Sequence, residues 1–468
     1  MNLPAYPHYK PSGVEWLGDV PEHWEVKSMT RVTTNIRNGT SATQLEDDSE
    51  SAVPVTRIES ISGGQINFHK VGQVEWTPTL ERYRLKKGDI LLSHINSLSM
   101  VGNCAILDSD RPLYSGMNLL RIEPEPTIHA QWLWRALSSD GIRKEISARA
   151  KPAINQASVT TTQIKALQLP VPSLPEQRSI AAFLDRETGR VDRLVAKERE
   201  LIERLKEKRT ALISRTVTRG LPAEAAAREG LPANPPLKPS SLDSLGDIPS
   251  HWKAKPLKRA VGFVEGPGIM AADFMDDGVP LLRISCIGGR RATLDDCNYV
   301  SEKLATTKWA HFRVKLRDLL ISGSASTGFC SEVDDTTVGA IPYTGIIIIR
   351  PLKGKADRDF IRWFFLSDLF LDQASLARTG STILHFGPTH LSKMFIALPN
   401  LPEQAAIAAY LDAETAKLDA LVGKVEAAVE RVQEYRTALI TAAVTGKIDV
   451  RRAVPAASST AQSVRGNF

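Results

Sequence analysis

The sequence predicts an α+β fold in which two globular halves, related by an internal repeat, are each followed by a long helix, and the two helices pair as a coiled coil. Three observations predict it. The stretch Ser173-Leu-Pro-Glu-Gln-Arg-Ser-Ile-Ala-Ala-Phe-Leu-Asp185 returns as Asn400-Leu-Pro-Glu-Gln-Ala-Ala-Ile-Ala-Ala-Tyr-Leu-Asp412, 227 positions later. The echo runs on through Arg209-Thr-Ala-Leu-Ile213 against Arg436-Thr-Ala-Leu-Ile440 and ends at Thr216-Val217 against Ala443-Val444. Near the start, Trp16-Leu-Gly-Asp-Val-Pro-Glu-His-Trp24 reappears as Ser244-Leu-Gly-Asp-Ile-Pro-Ser-His-Trp252, offset by 228.

Taken in order, residues 1–170 form the first globular half and residues 242–397 the second. Val53-Pro-Val-Thr-Arg-Ile58 faces Val279-Pro-Leu-Leu-Arg-Ile284, and Lys87-Gly-Asp-Ile-Leu-Leu-Ser93 faces Leu316-Arg-Asp-Leu-Leu-Ile-Ser322. Ser115-Gly-Met-Asn-Leu-Leu-Arg121 faces Thr344-Gly-Ile-Ile-Ile-Ile-Arg350. These short apolar runs, bounded by Gly, Asp and Pro, predict strands. Residues 131–148 and 359–376 each predict one helix, with Trp132, Trp134, Trp363 and Phe364 facing a core. Residues 220–241, rich in Ala, Pro and Ser, predict a linker. The Ala/Ser-rich residues 453–468 predict a disordered tail.

Residues 173–219 and 400–446 predict the long helices. Ser173 or Asn400 is placed to cap, and Glu176 or Glu403 stands three residues on, as in a capping box. In the second helix Leu411, Leu418, Val425, Val432 and Leu439 repeat every seven residues, with Leu421, Ala428 and Tyr435 on the alternate seam. The first helix matches with Leu184, Val191, Leu205 and Leu212, plus Leu194 and Leu201, and is interrupted at Glu198 and Lys208. A helix from Glu176 to Val217 is on the order of 60 Å long, and one apolar stripe of that length needs a partner. Charge favours the other copy. Glu176 to Arg219 holds 12 Lys and Arg against 8 Asp and Glu, net +4, and Pro402 to Gly446 holds 4 against 7, net −3.

Composition bounds the class. With 42% hydrophobic and 24% charged residues, the 468-residue chain is ordinary globular material. A net charge of +6 is compatible with nucleic acid without demanding it. Cys104, Cys286, Cys297 and Cys330 form no Cys-x-x-Cys, which argues against a disulfide framework or structural zinc and for a reducing compartment. The start of the chain lacks an apolar signal region, and its longest apolar runs are too short to span a bilayer, so the expected location is the cytoplasm.

No catalytic constellation emerges. Asn234-Pro-Pro-Leu237 resembles the motif with which amino-methyltransferases hold a flipped base, but Leu stands where an aromatic must stack. No Walker A sequence occurs, and Ser326-Thr-Gly328 lacks the preceding Gly of a nucleophile elbow. His385 and His390 sit in a Gly/Pro-rich segment unsuited to a metal-binding helix. The chain reads as a binder, with no metal and no cofactor of its own.

The twice-occurring Leu-Pro-Glu-Gln helix starts, the globular–helix–globular–helix order, and the Gly88-Asp-Ile-Leu-Leu-Ser93 and Arg317-Asp-Leu-Leu-Ile-Ser322 segments together resemble the specificity subunit of type I restriction–modification systems. The resemblance covers nearly the whole chain. It implies that the globular halves are target recognition domains, each reading one half of a split double-stranded DNA site. It implies antiparallel pairing of the long helices as a spacer that docks two modification subunits, and the joining of restriction subunits. S-adenosylmethionine and ATP-Mg would then belong to those partners. The first candidates for DNA contact are the loops after the Asp-Ile-Leu strands: His94, Asn96, Ser97 and Ser99, with Ser324, Ser326 and Thr327 in the second half. They offer short donors and acceptors suited to base edges and phosphates. Next come the segments before each long helix, Arg149, Lys151, Asn155 and Gln156 matching Arg378, Ser381, Thr382 and His385. Arg57 and Arg283, after matching strands, are phosphate candidates. Two other readings stay open: a stand-alone DNA-binding or scaffold protein, and a divergent DNA methyltransferase.

Overall fold

A computed structural model describes residues 4–45, 51–61, 64–153, 156–240, 242, 245–323, 329–378 and 386–451. The expected tail, residues 453–468, lies outside the described residues. The chain divides into two units, Met1–Glu198 with Ala427–Phe468, and Arg199–Glu426.

The first unit is built on an antiparallel sheet of four strands in spatial order Thr33–Asn38, Leu119–Pro124, Ile90–Ser93, Cys104–Ile106. Successive side chains of a strand point to opposite faces. Ile90, Leu92, Leu120 and Ile122 enter one core with Trp24, Trp132 and Leu133, while Leu91, Ala105 and Leu119 enter another with Ile61 and Leu113. Both faces are buried, which is why these strands read as continuous apolar runs rather than alternating ones. The second unit repeats the order with Val261–Glu265, Ile346–Pro351, Leu319–Ser322 and Cys330–Glu332. Leu319, Ile321, Ile347 and Ile349 face one core, and Leu320, Ile346 and Ile348 the other. Beside it stands a second four-stranded sheet, Phe274–Met275, Asn298–Val300, Val279–Leu282, Ile341–Pro342, whose last pair is parallel. In the first unit, the hairpin of Ala52–Val55 with Gly72–Glu75 is the related but smaller feature.

Several sequence expectations need correction, the first of them a strand alignment. Leu119 pairs with Ser93, and Ile346 with Ser322, so by strand register Arg350 holds the place of Glu123 and not that of Arg121. Both arginines still reach the aspartate that opens the neighbouring strand: Arg121 Nη2 lies 2.8 Å from Asp89, and Arg350 Nη2 lies 2.6 Å from Asp318. Matching the arginines obscured the two-residue shift.

The helices expected over 131–148 and 359–376 are each two helices, Ala130–Leu137 with Asp140–Arg149, and Arg358–Phe365 with Asp368–Arg378. Serines make the break. The hydroxyls of Ser138, Ser139 and Ser367 donate to the carbonyls of Trp134, Ala136 and Phe364, satisfying helix-end acceptors that a continuous helix would have used.

Glu176 and Glu403 bind distant groups instead of closing capping boxes. Glu176 accepts a hydrogen bond from Tyr6 Oη at 2.7 Å and faces His23 Nε2 at 3.0 Å. Glu403 accepts from Trp252 Nε1 at 2.9 Å and faces His251 Nε2 at 3.0 Å. Only the cap itself forms in the second copy, where Asn400 Oδ1 accepts from Glu403 N. The glutamines behind them bridge backbone: Gln177 accepts from His129 N and donates to Pro172 O, and Gln404 accepts from Asp357 N and donates to Pro399 O. The repeated Leu-Pro-Glu-Gln is therefore a socket that fixes where each long helix leaves its globular core. Glu403→Ala strips the buried Trp252 indole of its acceptor and should cost the second unit about 1–3 kcal/mol. Glu403→Gln, which keeps a carbonyl acceptor, should recover part of that loss. Equal denaturation midpoints for wild type and Glu403→Ala would contradict the socket.

The long helices span Leu174–Arg219 and Leu401–Val444. In the first unit Val191 and Val195 pack on Val429 and Val432, and Arg436 reaches Asp192 at 2.9 Å. In the second unit Arg209 reaches Asp419 at 2.9 Å, while Ile213 shares a core with Leu411 and Ile407. Within each unit the helices run antiparallel. Leu184, Val191, Leu205, Leu411, Val425 and Leu439 are buried, and Leu212, Leu418 and Val432 half-buried. The expected alternate seam is wrong: Leu194, Leu201, Leu421 and Tyr435 are exposed. The second row lies four residues after each first-row position instead of three, at Thr188, Val195 and Ile202 and at Thr415, Val422 and Val429.

Each helix is also tied to its globular core. Arg135, buried beneath Trp134, reaches Asp185 at 2.8 Å, and Arg362, buried beneath Trp363, reaches Asp412 at 2.5 Å. The segment expected as a linker, 220–241, carries a short helix, Ala223–Arg228, and a strand, Leu237–Pro239. Its Leu221 and Ala226 are part of the second unit's core.

Candidate nucleic-acid interface

In the first unit the strand Ile90–Ser93 ends in two buried apolar faces, so the chain beyond it must emerge at the edge of the core. There Ile95–Asn96 joins a second, three-stranded sheet with Lys151–Ala153 and Gln156–Ser158, in which Asn96 is opposite Ala157 and Ile95 opposite Ser158. Val159 N donates to His94 O at 2.9 Å and extends the contact. Two candidate segments some sixty residues apart in sequence thus share one surface. It carries Asn96, Ser97 and Ser99 from the first segment and Lys151 and Gln156 from the second. Ser97, Ser99, Lys151 and Gln156 are exposed, and Asn96 is half-buried.

Local hydrogen bonds shape the loop. Asn96 Oδ1 accepts from Ser97 N at 2.8 Å, Asn96 Nδ2 donates to Ser93 Oγ, and the hydroxyls of Ser97 and Ser99 lie 3.2 Å apart. Such loop-tip carboxamides and hydroxyls retain further donor and acceptor capacity. His94 is different. It is buried, its ring is hydrogen bonded to the Asn118 backbone, and burial holds its imidazole below the usual histidine range. Its Nδ1 has no hydrogen-bond partner among the described residues.

Other candidates stand elsewhere. The Arg149 guanidinium is engaged by Glu145 and by the Gln163 carbonyl, which makes it a brace for the segment behind the sheet. Arg57 is exposed beside Gly72 and Gln44, at the hairpin of Ala52–Val55, and not on the three-stranded sheet. Arg283 is exposed at the start of a short 3-10 turn, Ile284–Ile287. Asn155, Ser324, Ser326, Thr327, Ser381, Thr382 and His385, and the side chain of Arg378, lie outside the described residues. Their flanks do meet. Phe386 N donates to Gly323 O at 2.8 Å, the counterpart of the Val159–His94 bond in the first unit.

Sequence reasoning missed Arg143, whose Nη2 donates to Ser99 O at 3.3 Å from the helix Asp140–Arg149. That helix follows its predecessor after a two-residue break, Ser138 and Ser139, and no local pattern announces its contact with the loop. Among the described residues no group of three or more His, Cys, Asp and Glu side chains could hold a metal ion, and no helix is long and apolar enough to cross a membrane.

The family described as type I restriction modification DNA specificity domain matches residues 21–206. A putative type I restriction enzyme MjaX specificity subunit of Methanocaldococcus jannaschii is 29% identical over 447 residues, covering 93% of this chain and 96% of that relative. The type I restriction enzyme EcoKI specificity subunit of Escherichia coli K12 is 23% identical, covering 92% of this chain and 90% of that relative. Among solved structures, a chain from work on complex assembly and conformational transition of the type I R-M system superposes with a TM-score of 0.68 at 17% identity. That match covers 92% of this chain and 99% of the other, and the likeness is one of fold.

Proposed function

This chain belongs to the type I restriction–modification specificity-subunit family, and we propose on that premise that it is the non-catalytic DNA reader of such a complex, with each globular half reading one part of an interrupted double-stranded site. The observation that carries the reading is the repeat of one scaffold with unlike surfaces. The same four-stranded sheet, helix socket and helix pairing occur twice, whereas the sequences that follow Ser93 and Ser322 differ, His94-Ile-Asn-Ser-Leu-Ser99 against Gly323-Ser-Ala-Ser-Thr-Gly328. A shared scaffold with unlike sequences at these positions suits two readers of two different half-sites. On this reading residues 1–170 and 242–397 are the readers, and the helices of 173–219 and 400–446 set the distance between half-sites. Each added base pair of spacing corresponds to about 3.4 Å.

The helices would dock two modification subunits that carry S-adenosylmethionine, and restriction subunits that carry ATP-Mg would complete the nuclease. The present chain would contribute base-edge contacts from Asn96, Ser97, Ser99 and Gln156, and phosphate contacts from Lys151, Arg57 and Arg283. Phosphate contacts set register and orientation, and base contacts set sequence. The complex would work in the cytoplasm.

Methylome sequencing tests this directly. Cells expressing the chain with its modification subunit should show an interrupted, asymmetric methylated motif that vanishes when the chain is deleted. Exchanging residues 12–169 for the counterpart from a relative should alter one half of the motif and leave the other half and the spacing unchanged. Alteration of both halves would overturn the two-reader assignment, and an unchanged methylome on deletion would overturn the function.

A further inference from the structure

Beside the loop already described, a second element stands at the same end of the first unit's sheet. Leu119 pairs with Ser93, so the residues just before Leu119 border those just after Ser93. These are Met117 and Asn118 against His94 and Ile95. Met117 is 60% exposed, more than any other large hydrophobic side chain described in this unit. Asn118 has a left-handed backbone, φ +67°. Its carboxamide makes no hydrogen bond among the described residues, although its backbone holds the His94 ring.

The turn is built on a rigid base. Gly116 N donates to Thr56 Oγ1 at 2.9 Å, Thr56 N to Tyr114 O at 2.8 Å, and Thr40 N to Ser115 O at 2.7 Å. A Cβ on Gly116 would lie 1.9 Å from Thr56 O, so the chain approaches too closely there for any side chain. A surface built this firmly to present an exposed methionine and an unengaged carboxamide has a structural cost without a structural return. The second unit shows the cheaper solution. By strand register the counterpart of Asn118 is Gly345, which adopts φ +86° without strain. Local strain and unsatisfied polar groups concentrate at functional sites. Here they coincide with the buried, unpartnered Nδ1 of His94.

We propose that the Met117–Asn118 turn is a specificity-determining element of the first half-site reader, in which the Asn118 carboxamide takes a base edge beside the His94 ring and Met117 supplies the apolar contact. This rests on the DNA-reading function proposed above. A carboxamide presents one donor and one acceptor side by side, the pattern complementary to the adenine N6 and N7 edge in the major groove. An apolar side chain next to it suits the thymine methyl or a wedge at a base step.

The test uses the full chain assembled with its modification subunits, and a DNA library randomised across the half-site that the exchange of residues 12–169 assigns to this unit. Asn118→Gly is the informative variant, since glycine accepts the left-handed backbone and the fold is retained. Discrimination at one base-pair position should fall by about 5- to 150-fold, the range that one bidentate base contact supports. The other half-site should be read as before. Met117→Ala should weaken preference at that position or its neighbour. Wild-type preference at every position in Asn118→Gly, with equal or greater thermal stability, would make the turn purely structural and overturn the proposal alone. A wild-type complex without any preferred sequence would overturn the DNA-reading function together with it.

Discussion

Replacing Arg121 by alanine should destabilise the first unit by about 3–5 kcal/mol, because it leaves a carboxylate uncompensated in the interior. The Arg121 side chain is 3% exposed and that of Asp89 is 7% exposed, so water screens neither. Asp89 also accepts the Lys86 backbone N–H at 2.7 Å. Even so its carboxyl is held above the ordinary aspartate range, since burial outweighs the backbone donor and the arginine together. Removing the arginine raises it further.

The sign of the pH dependence follows. A carboxyl raised in the folded state binds its proton more tightly there than in the unfolded chain, so the folded state loses ground as pH climbs from the unfolded value through the folded one. In Arg121→Ala that window extends higher. The gap between variant and wild type should be smallest in mild acid and widest near neutrality, as read by urea midpoints at both conditions. A pH-independent gap would mean that lost packing, not the stranded charge, is responsible. Arg350→Ala is the internal control. Its side chain is 28% exposed, so its loss from Asp318 should cost about 1–2 kcal/mol, between the surface and buried limits.

The architecture was legible because it is written twice. The repeated helix starts, the apolar strands and the unlike charge of the two helices are all features of sequence, and the antiparallel pairing inside each unit agrees with them. What misled were positions where tertiary partners decide. Counting apolar residues favoured Leu421 and Tyr435 for the second seam, yet that seam holds Thr415 and Arg436. Buried Thr415 satisfies its hydroxyl on Leu411 O, and half-buried Arg436 lays its charge on Asp192, so neither position requires leucine. Glu176 and Glu403 fit a capping box locally, but their partners lie more than 150 residues upstream. At the candidate interface both loop segments were visible as short polar stretches. Their meeting in one sheet depends on pairing between Asn96 and Ala157, which only the folded chain supplies.

The largest functional effect should come from the four valines that join the long helices in the first unit. Val191, Val195 and Val429 are 8–9% exposed and pack with half-buried Val432. The nearby Arg436–Asp192 pair has side chains 33% and 57% exposed, which limits it to about 0.2–1 kcal/mol. Burying a valine is worth about 1.5–3 kcal/mol, so the apolar patch dominates. Val195→Asp with Val429→Asp places two carboxylates in it and should cost several kcal/mol, since buried charge without a partner is costly and like charges add to it. On the DNA-reading function proposed above, the spacing of the half-sites depends on this helix pair. Methylation of the interrupted motif should then disappear while each globular core keeps its near-UV circular dichroism. Val195→Lys with Val429→Asp should restore a share of both stability and methylation, because the lysine stem covers apolar surface and its ammonium reaches both the carboxylate and water. Equal loss in the double-acid and the opposite-charge variants would trace the defect to lost valine packing, and full methylation in the double-acid variant would show that the valine contact does not set the spacing.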